Sequence, residues 1–214
     1  MNTSSDILLS RINQSLLKGL PGESAHSKLA PQHRKPASEY LNAITDYKIG
    51  CVVSLIVKNN QHEWCLVLME RMSHEKDVHA NQISFPGGKQ EEGDASYYAT
   101  ALRELHEELG VNPEVVNLIS PLSELYIPPS NFLVKPFLCY TNHELTYNPN
   151  DSEVRSLMEI PLSFFMEESN VIHGGFKSAR GYDVNAPFYE YNTHKIWGAT
   201  AMMIAEIVDL LKEE

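Results

Sequence analysis

The stretch that decides the fold is HANQISFPGGKQEEGDASYYATALRELHEELGV, residues 79–111. It opens on a Pro-Gly-Gly loop and continues into apolar residues at helical spacing, which predict an amphipathic helix near residues 95–109. Asp94 is placed to cap the start of this helix, and Gly110 to end it in the left-handed conformation. One side of the helix carries an apolar stripe, and the charged residues away from that stripe are Arg103, Glu104, Glu107 and Glu108.

Three carboxylates crowd the C-terminal half of this predicted helix. Glu104 and Glu108 are four residues apart, and Glu104 and Glu107 are three apart. The Cβ atoms of each pair are therefore about 5–6 Å apart, and their carboxylates repel each other. The helix dipole disfavours negative charge at that end as well. Taken alone, such a run is most often a solvated helix face. A glycine loop just upstream favours a different interpretation, a site for a hard divalent cation beside a phosphate-binding turn.

Composition narrows the class of protein. The chain has 214 residues, 43% of them hydrophobic and 21% charged, which suits one globular domain with an appendage. Its formal net charge of -11 makes nucleic acid and anionic membranes unexpected partners. No signal peptide or membrane span is predicted. The three cysteines have no ligand-like spacing and indicate buried thiols, so we expect a soluble cytoplasmic protein.

The rest of the sequence predicts two parts. Residues 1–46 combine a helix over residues 5–20 with an irregular linker, and residues 47–214 form the main domain. Within that domain the runs CVVSLIV and WCLVLME, separated by KNNQHE, predict a β-hairpin. Further β-rich runs and a long C-terminal helix in WGATAMMIAEIVDLLKE predict an α/β fold, a mixed sheet with helices on its faces.

The helix and its loop resemble the Nudix box, Gly-x5-Glu-x7-Arg-Glu-U-x-Glu-Glu-x-Gly-U, in which U is aliphatic. RELHEELGV, residues 103–111, matches the second half at every fixed position. The first half departs twice, because Asp94 replaces Glu and residues 95–102 make eight before Arg103 where the pattern has seven. The resemblance implies a Nudix-type α/β/α sandwich with a mixed sheet over residues 47–214.

Both departures are similar to the coenzyme A pyrophosphatase branch of that family, as is the upstream stretch LVLMERMSHEKDVHANQISFPGG. Arg71 matches the first Arg of the branch signature, and residues 85–88 match its end. Lys76 is the nearest cation to the second Arg, and Asn81 stands where Gly is usual. The downstream stretches SELYIPPSNFLVKPFL and KIWGATA also resemble this branch.

The resemblance implies metal-dependent hydrolysis of a diphosphate, with Mg²⁺ or Mn²⁺ as the cofactor. It assigns the metal to Glu104, Glu107, Glu108 and the carbonyl of Gly88, with Glu107 either a ligand or a base acting through water. Arg103 would brace the carboxylates by charged hydrogen bonds.

Other residues complete this expected site. Gly87 and Gly88 would lie against the substrate, and Arg71 and Lys89 would meet its phosphates, although surface solvation explains those two cations equally well. Glu153, in the loop NDSEVRS, is a candidate base or distal metal ligand.

Several alternatives remain open at this point. The expected substrate is coenzyme A or an acyl ester, cleaved to 4′-phosphopantetheine or its acyl form and adenosine 3′,5′-bisphosphate. ADP-ribose, another ADP-sugar or a nucleoside triphosphate is the alternative, and a non-catalytic nucleotide-binding module is a second. A 3′-phosphate would need a nearby cation, for which Arg71, Lys76 and Lys89 are candidates. The partner is a small nucleotide diphosphate in each case, and a homodimer stays open beside a monomer.

Overall fold

The computed structural model of the protein describes residues 4–32, 34–42, 44–72, 81–178, 181 and 183–212. Its N-terminal part contains the helices α1 (Ser4–Leu16), α2 (Gly22–His26) and α3 (Ala37–Leu41). The helix predicted over residues 5–20 is therefore present, but the segment expected to be an irregular linker contains two short helices. The physical reason is burial, because α2 carries Ala25 and His26 into contact with the rest of the fold.

The described strands of the main sheet are β1 (Lys48–Lys58), β2 (Trp64–Arg71), β3 (Ile83–Ser84), β4 (Gly87–Lys89), β5 (Asn117–Pro121), β6 (Leu125–Ile127), β7 (Phe132–Tyr140) and β8 (Val154–Pro161). Between β4 and β5 runs helix α4 (Tyr97–Leu109). β1 pairs with β7 in parallel, and the other pairings are antiparallel, so the sheet is mixed as predicted. The hairpin expected from CVVSLIV and WCLVLME is the β1–β2 pair.

The C-terminal part adds short elements and one long helix. These are α5 (Leu162–Met166), β9 (Val171–Ile172), β10 (Gly175–Lys177), β11 (Asp183–Asn185), β12 (Phe188–Tyr191), β13 (His194–Trp197) and α6 (Gly198–Leu211). In the described residues, β10 pairs with β11, and β12 lies between β9 and β13. The sequence indicated α5, α6 and a strand at β12, but not the shorter strands around it.

The main sheet is covered on both faces, which makes the fold an α/β/α sandwich. One face packs against α4, where Ala101, Leu105 and Leu109 meet the odd-numbered positions of β1. The other face packs against α6, with Ile12 of α1 in the same cluster. Alternate residues of a strand point to opposite faces, so each central strand supplies apolar side chains to both layers.

Two further expectations concern the cysteines and membrane-spanning helices. All three cysteines are free and buried, as expected. Among the residues that the structure describes, no helix has the length and apolar character needed to cross a bilayer.

Candidate functional site: a carboxylate-lined glycine loop

Helix α4 begins later than the sequence suggested. Its cap is Ser96, whose hydroxyl accepts a hydrogen bond from the backbone N–H of Ala99 at 3.1 Å. The prediction that Asp94 caps the helix is therefore wrong. Asp94 stands two residues outside, where its carboxylate accepts hydrogen bonds from Thr100 at 2.9 Å and from Arg103. An aspartate at this distance from the first turn reaches side chains of α4 instead of its free N–H groups.

The other end of α4 is as predicted and fixes the surrounding loop. Gly110 has φ 70° and donates its N–H to the carbonyl of His106 at 2.8 Å. The backbone N–H groups of Asn148 and Asn150 donate to the last carbonyls of the helix, each at 2.9 Å. This docks the loop before β8 onto the end of α4, three residues before Glu153.

The Pro-Gly-Gly loop lies directly against the carboxylates of α4. The N–H of Gly87 donates to Oε2 of Glu108 at 2.7 Å. A Cβ on Gly88 would lie 2.5 Å from each carboxylate oxygen of Glu104, and one on Gly87 would lie 2.3 Å from the carbonyl of Cys51. Both positions thus require glycine, because any side chain would occupy space that the strand or the carboxylate already fills.

Arg103 ties this arrangement together. Its guanidinium contacts Asp94 twice, through Nε at 3.0 Å and Nη2 at 3.2 Å. Nη1 contacts Glu107 at 2.7 Å and Glu104 at 3.0 Å, and Nη2 also donates to the carbonyl of Lys89 at 3.1 Å. The hydrogen bonds from Arg103 hold the pKa of Asp94 well below its usual range. One planar cation therefore positions the loop and two carboxylates of the helix.

Burial raises the pKa of both Glu104 and Glu108. Burial raises the pKa of Glu108 to about 8, against the opposing effects of the Gly87 N–H and of Arg71. Burial also raises the pKa of Glu104, although Arg103 opposes it. Glu153 adds to both shifts, so its charge lies near the pair. Ionising both carboxylates in this place is costly without more positive charge than the described residues supply.

Comparison with known proteins identifies the family. A sequence model of the family described as "NUDIX domain" matches residues 49–170. This chain belongs to the Nudix family. A protein named "Uncharacterized Nudix hydrolase NudL" from Enterobacter sp. (strain 638) is 36% identical over 146 residues, which cover 66% of this chain and 72% of that relative. A protein of the same name from Photorhabdus laumondii is 35% identical over 141 residues, covering 66% and 74%.

One solved structure supports the fold alone. The MutT/nudix family protein from Enterococcus faecalis aligns with a TM-score of 0.50 at 14% sequence identity, over 82% of this chain and 69% of its own. The expected Nudix-type α/β/α sandwich is confirmed, and the chain is a Nudix hydrolase.

Nudix hydrolases generally use divalent metal ions, and the residues present here fit such an ion. The donors are the buried carboxylate of Glu108 and the partly buried carboxylate of Glu104, whose mutual repulsion a hard dication removes. In the described part of the chain, however, no three His, Cys, Asp or Glu side chains already form a metal cluster. The half-exposed carboxylate of Glu107 is turned to Arg103, whose Nη1 also contacts Glu104.

The remaining expected residues divide between the site and its surroundings. Arg71 belongs to the site, with Nη1 3.6 Å from Oε1 of Glu108. Glu153 is exposed beside the first residue of β8. Lys89 is exposed, and only its carbonyl contacts Arg103. Lys76 lies outside the described residues.

Asn81 shows why one departure from the branch signature is tolerated. It has φ 60°, a left-handed conformation that glycine adopts readily and asparagine tolerates best among other residues. Its N–H donates to the carbonyl of Arg71 at 3.2 Å, and the N–H of Arg71 donates to Gln82 at 3.1 Å. These two hydrogen bonds join Arg71 to Asn81 and Gln82 without the usual glycine at position 81.

The sequence did not reveal the contact between Asp94 and Arg103. The only signal in the sequence is their separation by nine residues with a helix start between them, which also fits a cap. It also did not reveal a polar cluster on the other face of the sheet, where buried Glu206 accepts hydrogen bonds from Ser123 at 2.6 Å and contacts His26 at 3.0 Å. These partners are too far apart in sequence for any local pattern to connect them.

Proposed function

We propose that this Nudix hydrolase cleaves the diphosphate of coenzyme A or an acyl-coenzyme A. The products are 4′-phosphopantetheine, or its acyl form, and adenosine 3′,5′-bisphosphate. The observation that carries the chemistry is the contact of Glu104 and Glu108 with Gly88 and Gly87. The choice of substrate is supported by FPGG, YIPPSNFLV and Arg71, which resemble the coenzyme A pyrophosphatase branch.

The residues would divide the work as follows. Glu104, Glu108 and the Gly88 carbonyl hold Mg²⁺ or Mn²⁺, joined by Glu107 as a further ligand. When bound, the cation supplies charge neutralisation of the diphosphate and a lowered pKa for a water molecule. Arg103 keeps Glu104 and Glu107 oriented through the contacts described above.

The substrate would be bound and activated by residues around this centre. Gly87 and Gly88 allow the diphosphate to approach the backbone, and Arg71 and Lys89 offer positive charge to its oxygens. We assign the general base to Glu153, because its exposed carboxylate lies near Glu104 and Glu108 and has no strong cationic partner among the described residues. Glu107 is less suited, since Arg103 already holds it at 2.7 Å.

The test is a substrate panel with each metal. Coenzyme A, an acyl-coenzyme A, ADP-ribose and a deoxynucleoside triphosphate are compared by kcat/KM at matched free Mg²⁺ and Mn²⁺, and the products are identified by mass. A preference for the coenzyme A compounds of tenfold or more, about 1.4 kcal/mol of transition-state discrimination, is expected. Preference for ADP-ribose or a triphosphate would overturn the substrate assignment while leaving the metal chemistry in place.

The cytoplasm is the compartment that we propose for this reaction. The support is that all three cysteines are free thiols buried in the core.

A further inference from the structure

Two lysines beside the glycine loop have no carboxylate partner in the part of the chain that the structure describes. Lys48 and Lys89 are exposed, and neither forms an ion pair within the described residues. Other cations near the site are already engaged, such as Arg103 with Asp94 and Lys135 with Glu124. The formal net charge of the chain is -11, so positive charge close to the glycine loop matters for binding an anionic ligand. The two lysines provide local positive charge that no carboxylate of the described residues neutralises.

The two lysines lie on one face of the sheet. Gly50 of β1 pairs with Lys89 of β4, and Lys48 precedes Gly50 by two residues, so all three positions share a face. Residues placed diagonally in this way on an antiparallel pair are about 7–8 Å apart, within reach of a single phosphate bound between two long side chains.

An aromatic ring lies beside Lys48 and covers Gly50. Phe132 is the β7 partner of Lys48, and the lysine Nζ is 5.6 Å from the ring centroid. The ring covers Gly50, since a Cβ there would be 3.1 Å from Cδ1 of Phe132. The carbonyl oxygen of Gly88 is 3.7 Å from that same point. Lys48, Gly50, Lys89 and Phe132, which we name the Phe132 platform, therefore border the carbonyl proposed to hold the metal.

The stretch YIPPSNFLV builds this platform rigidly. Asn131, in the left-handed conformation with φ 56°, accepts the N–H of Lys48 through its carbonyl at 2.9 Å. Its side chain donates to the carbonyl of Asp46 and accepts from the hydroxyl of Tyr126, both at 2.9 Å. Three hydrogen bonds thus fix the residue that precedes Phe132, which gives this stretch a role that the catalytic loop does not explain.

The Phe132 platform and the carboxylates lie on opposite faces of the sheet, on either side of β4. Among the described strands β4 pairs only with β1, so no described strand covers its other edge. Glu104 lies over Gly88 on the α4 face, whereas Lys48, Lys89 and Phe132 are on the opposite face. A ligand whose diphosphate binds at Gly88 can therefore extend one end around β4 onto the platform.

We propose that the Phe132 platform binds the nucleoside end of the substrate, with the ribose and base against Phe132 and a phosphate monoester on the ribose between Lys48 and Lys89. This rests on the proposed function and makes it narrower, because it selects nucleoside diphosphate derivatives that carry an additional phosphate. A dianionic monoester is a good partner for two ammonium groups, and an aromatic face stacks on any base. On this proposal Lys89 serves the monoester and not the diphosphate, and Lys48 is its second cation, whereas Arg71 contacts Glu108.

The test compares two substrates that differ only in the monoester, coenzyme A and dephospho-coenzyme A. For Lys48→Gln and Lys89→Gln we expect the ratio of their kcat/KM values to fall at least about fivefold. Lys58→Gln is the matched control, because Lys58 ends the same strand and lies over Trp64 at 4.7 Å, away from the glycine loop. The kcat/KM ratio of Lys58→Gln should equal that of the wild type. A wild-type ratio in Lys48→Gln and Lys89→Gln as well would overturn the proposal.

A binding measurement separates this inference from the proposed function. Adenosine 3′,5′-bisphosphate and adenosine 5′-monophosphate are titrated calorimetrically into the full chain with Mg²⁺. Tighter binding of the bisphosphate that is lost in Lys48→Gln supports the platform even if neither coenzyme A compound is hydrolysed, an outcome that would refute the proposed reaction. Equal affinity of the wild type for both nucleotides would overturn the platform even if coenzyme A is cleaved.

Discussion

Replacing Glu108 by Gln should make the metal-free protein more stable and the enzyme much less active. The amide keeps the shape of the side chain and can still accept the N–H of Gly87 through its oxygen. It removes the charge that burial disfavours, which in the wild type raises the pKa to about 8 from a usual 4.5. At about 1.4 kcal/mol per pKa unit, this shift limits the gain in the free energy of unfolding to roughly 5 kcal/mol. Because the surroundings relax around the charge, we expect a gain of about 2 kcal/mol.

The sign of the effect depends on pH. A carboxylate whose folded pKa is raised binds its proton more tightly in the folded state, so the wild type loses stability as pH rises from about 4.5 to about 8. The Glu108→Gln variant has no such loss. Its melting temperature should match the wild type near pH 5 and exceed it by roughly 4–8 °C at pH 8.5, taking about 2–4 °C per kcal/mol for a chain of this size.

The assay is thermal unfolding at both pH values, first with EDTA and then with saturating Mg²⁺, alongside kcat. The metal should stabilise the wild type far more than the variant, and kcat should fall at least ~10²-fold in the variant. Glu114→Gln, an exposed glutamate just beyond α4, should change none of these values. If Glu108→Gln is less stable than the wild type at pH 8.5 in EDTA, or keeps near-normal turnover, Glu108 is a structural acceptor and the metal assignment is wrong.

Three further substitutions test other contacts. Arg103→Lys should lower kcat by about 10–100-fold, because an ammonium cannot hold both oxygens of Asp94 and also Glu104; full activity would refute the brace. Gly88→Ala should cost about 10²-fold in kcat with an unchanged circular dichroism spectrum, since its Cβ would displace Glu104, whereas Gly175→Ala should be neutral. Glu206→Gln should destabilise the fold in urea by about 1–3 kcal/mol at pH 7. Burial alone would raise the pKa of Glu206, but hydrogen bonds from His26 and Ser123 lower it. The loss of unfolding free energy should therefore be smaller at pH 4 than at pH 7. An equal loss at both pH values would refute the role of the ionised Glu206 carboxylate.

The regular parts of the fold were predictable because local patterns determine them. The alternation in CVVSLIV and WCLVLME, and the helical spacing before Gly110, are properties of adjacent residues. The short helices α2 and α3 were not predictable in the same way. α2 is held by Glu206, whose carboxylate accepts the N–H of Gly22 and contacts His26, and this partner lies 180 residues further along the chain than His26.

The candidate site could be predicted as a set of residues but not as an arrangement. Spacing along one helix showed that Glu104 and Glu108 would be neighbours, and the glycines upstream indicated a close approach of the loop. Spacing could not show that Glu107 is turned to Arg103, because that depends on a guanidinium held by two other groups. Nor could it show Phe132 over Gly50, a contact between β7 and β1 that only the parallel pairing creates.

The longer form of the box has a structural explanation in where α4 starts. The residue added before Arg103 lies in residues 95–102, and Ser96 caps the helix there, so the first residues of this segment remain outside it. From Tyr97 onward the helix is regular, and the relative positions of Arg103, Glu104 and Glu108 do not depend on the segment length before the cap. Asp94 still reaches Arg103 with both carboxylate oxygens, at 3.0 and 3.2 Å. Asp94 is shorter than the Glu of the usual pattern, but with one more residue before Arg103 it contacts the same arginine. The insertion therefore changes the loop without changing the carboxylates that would hold the metal.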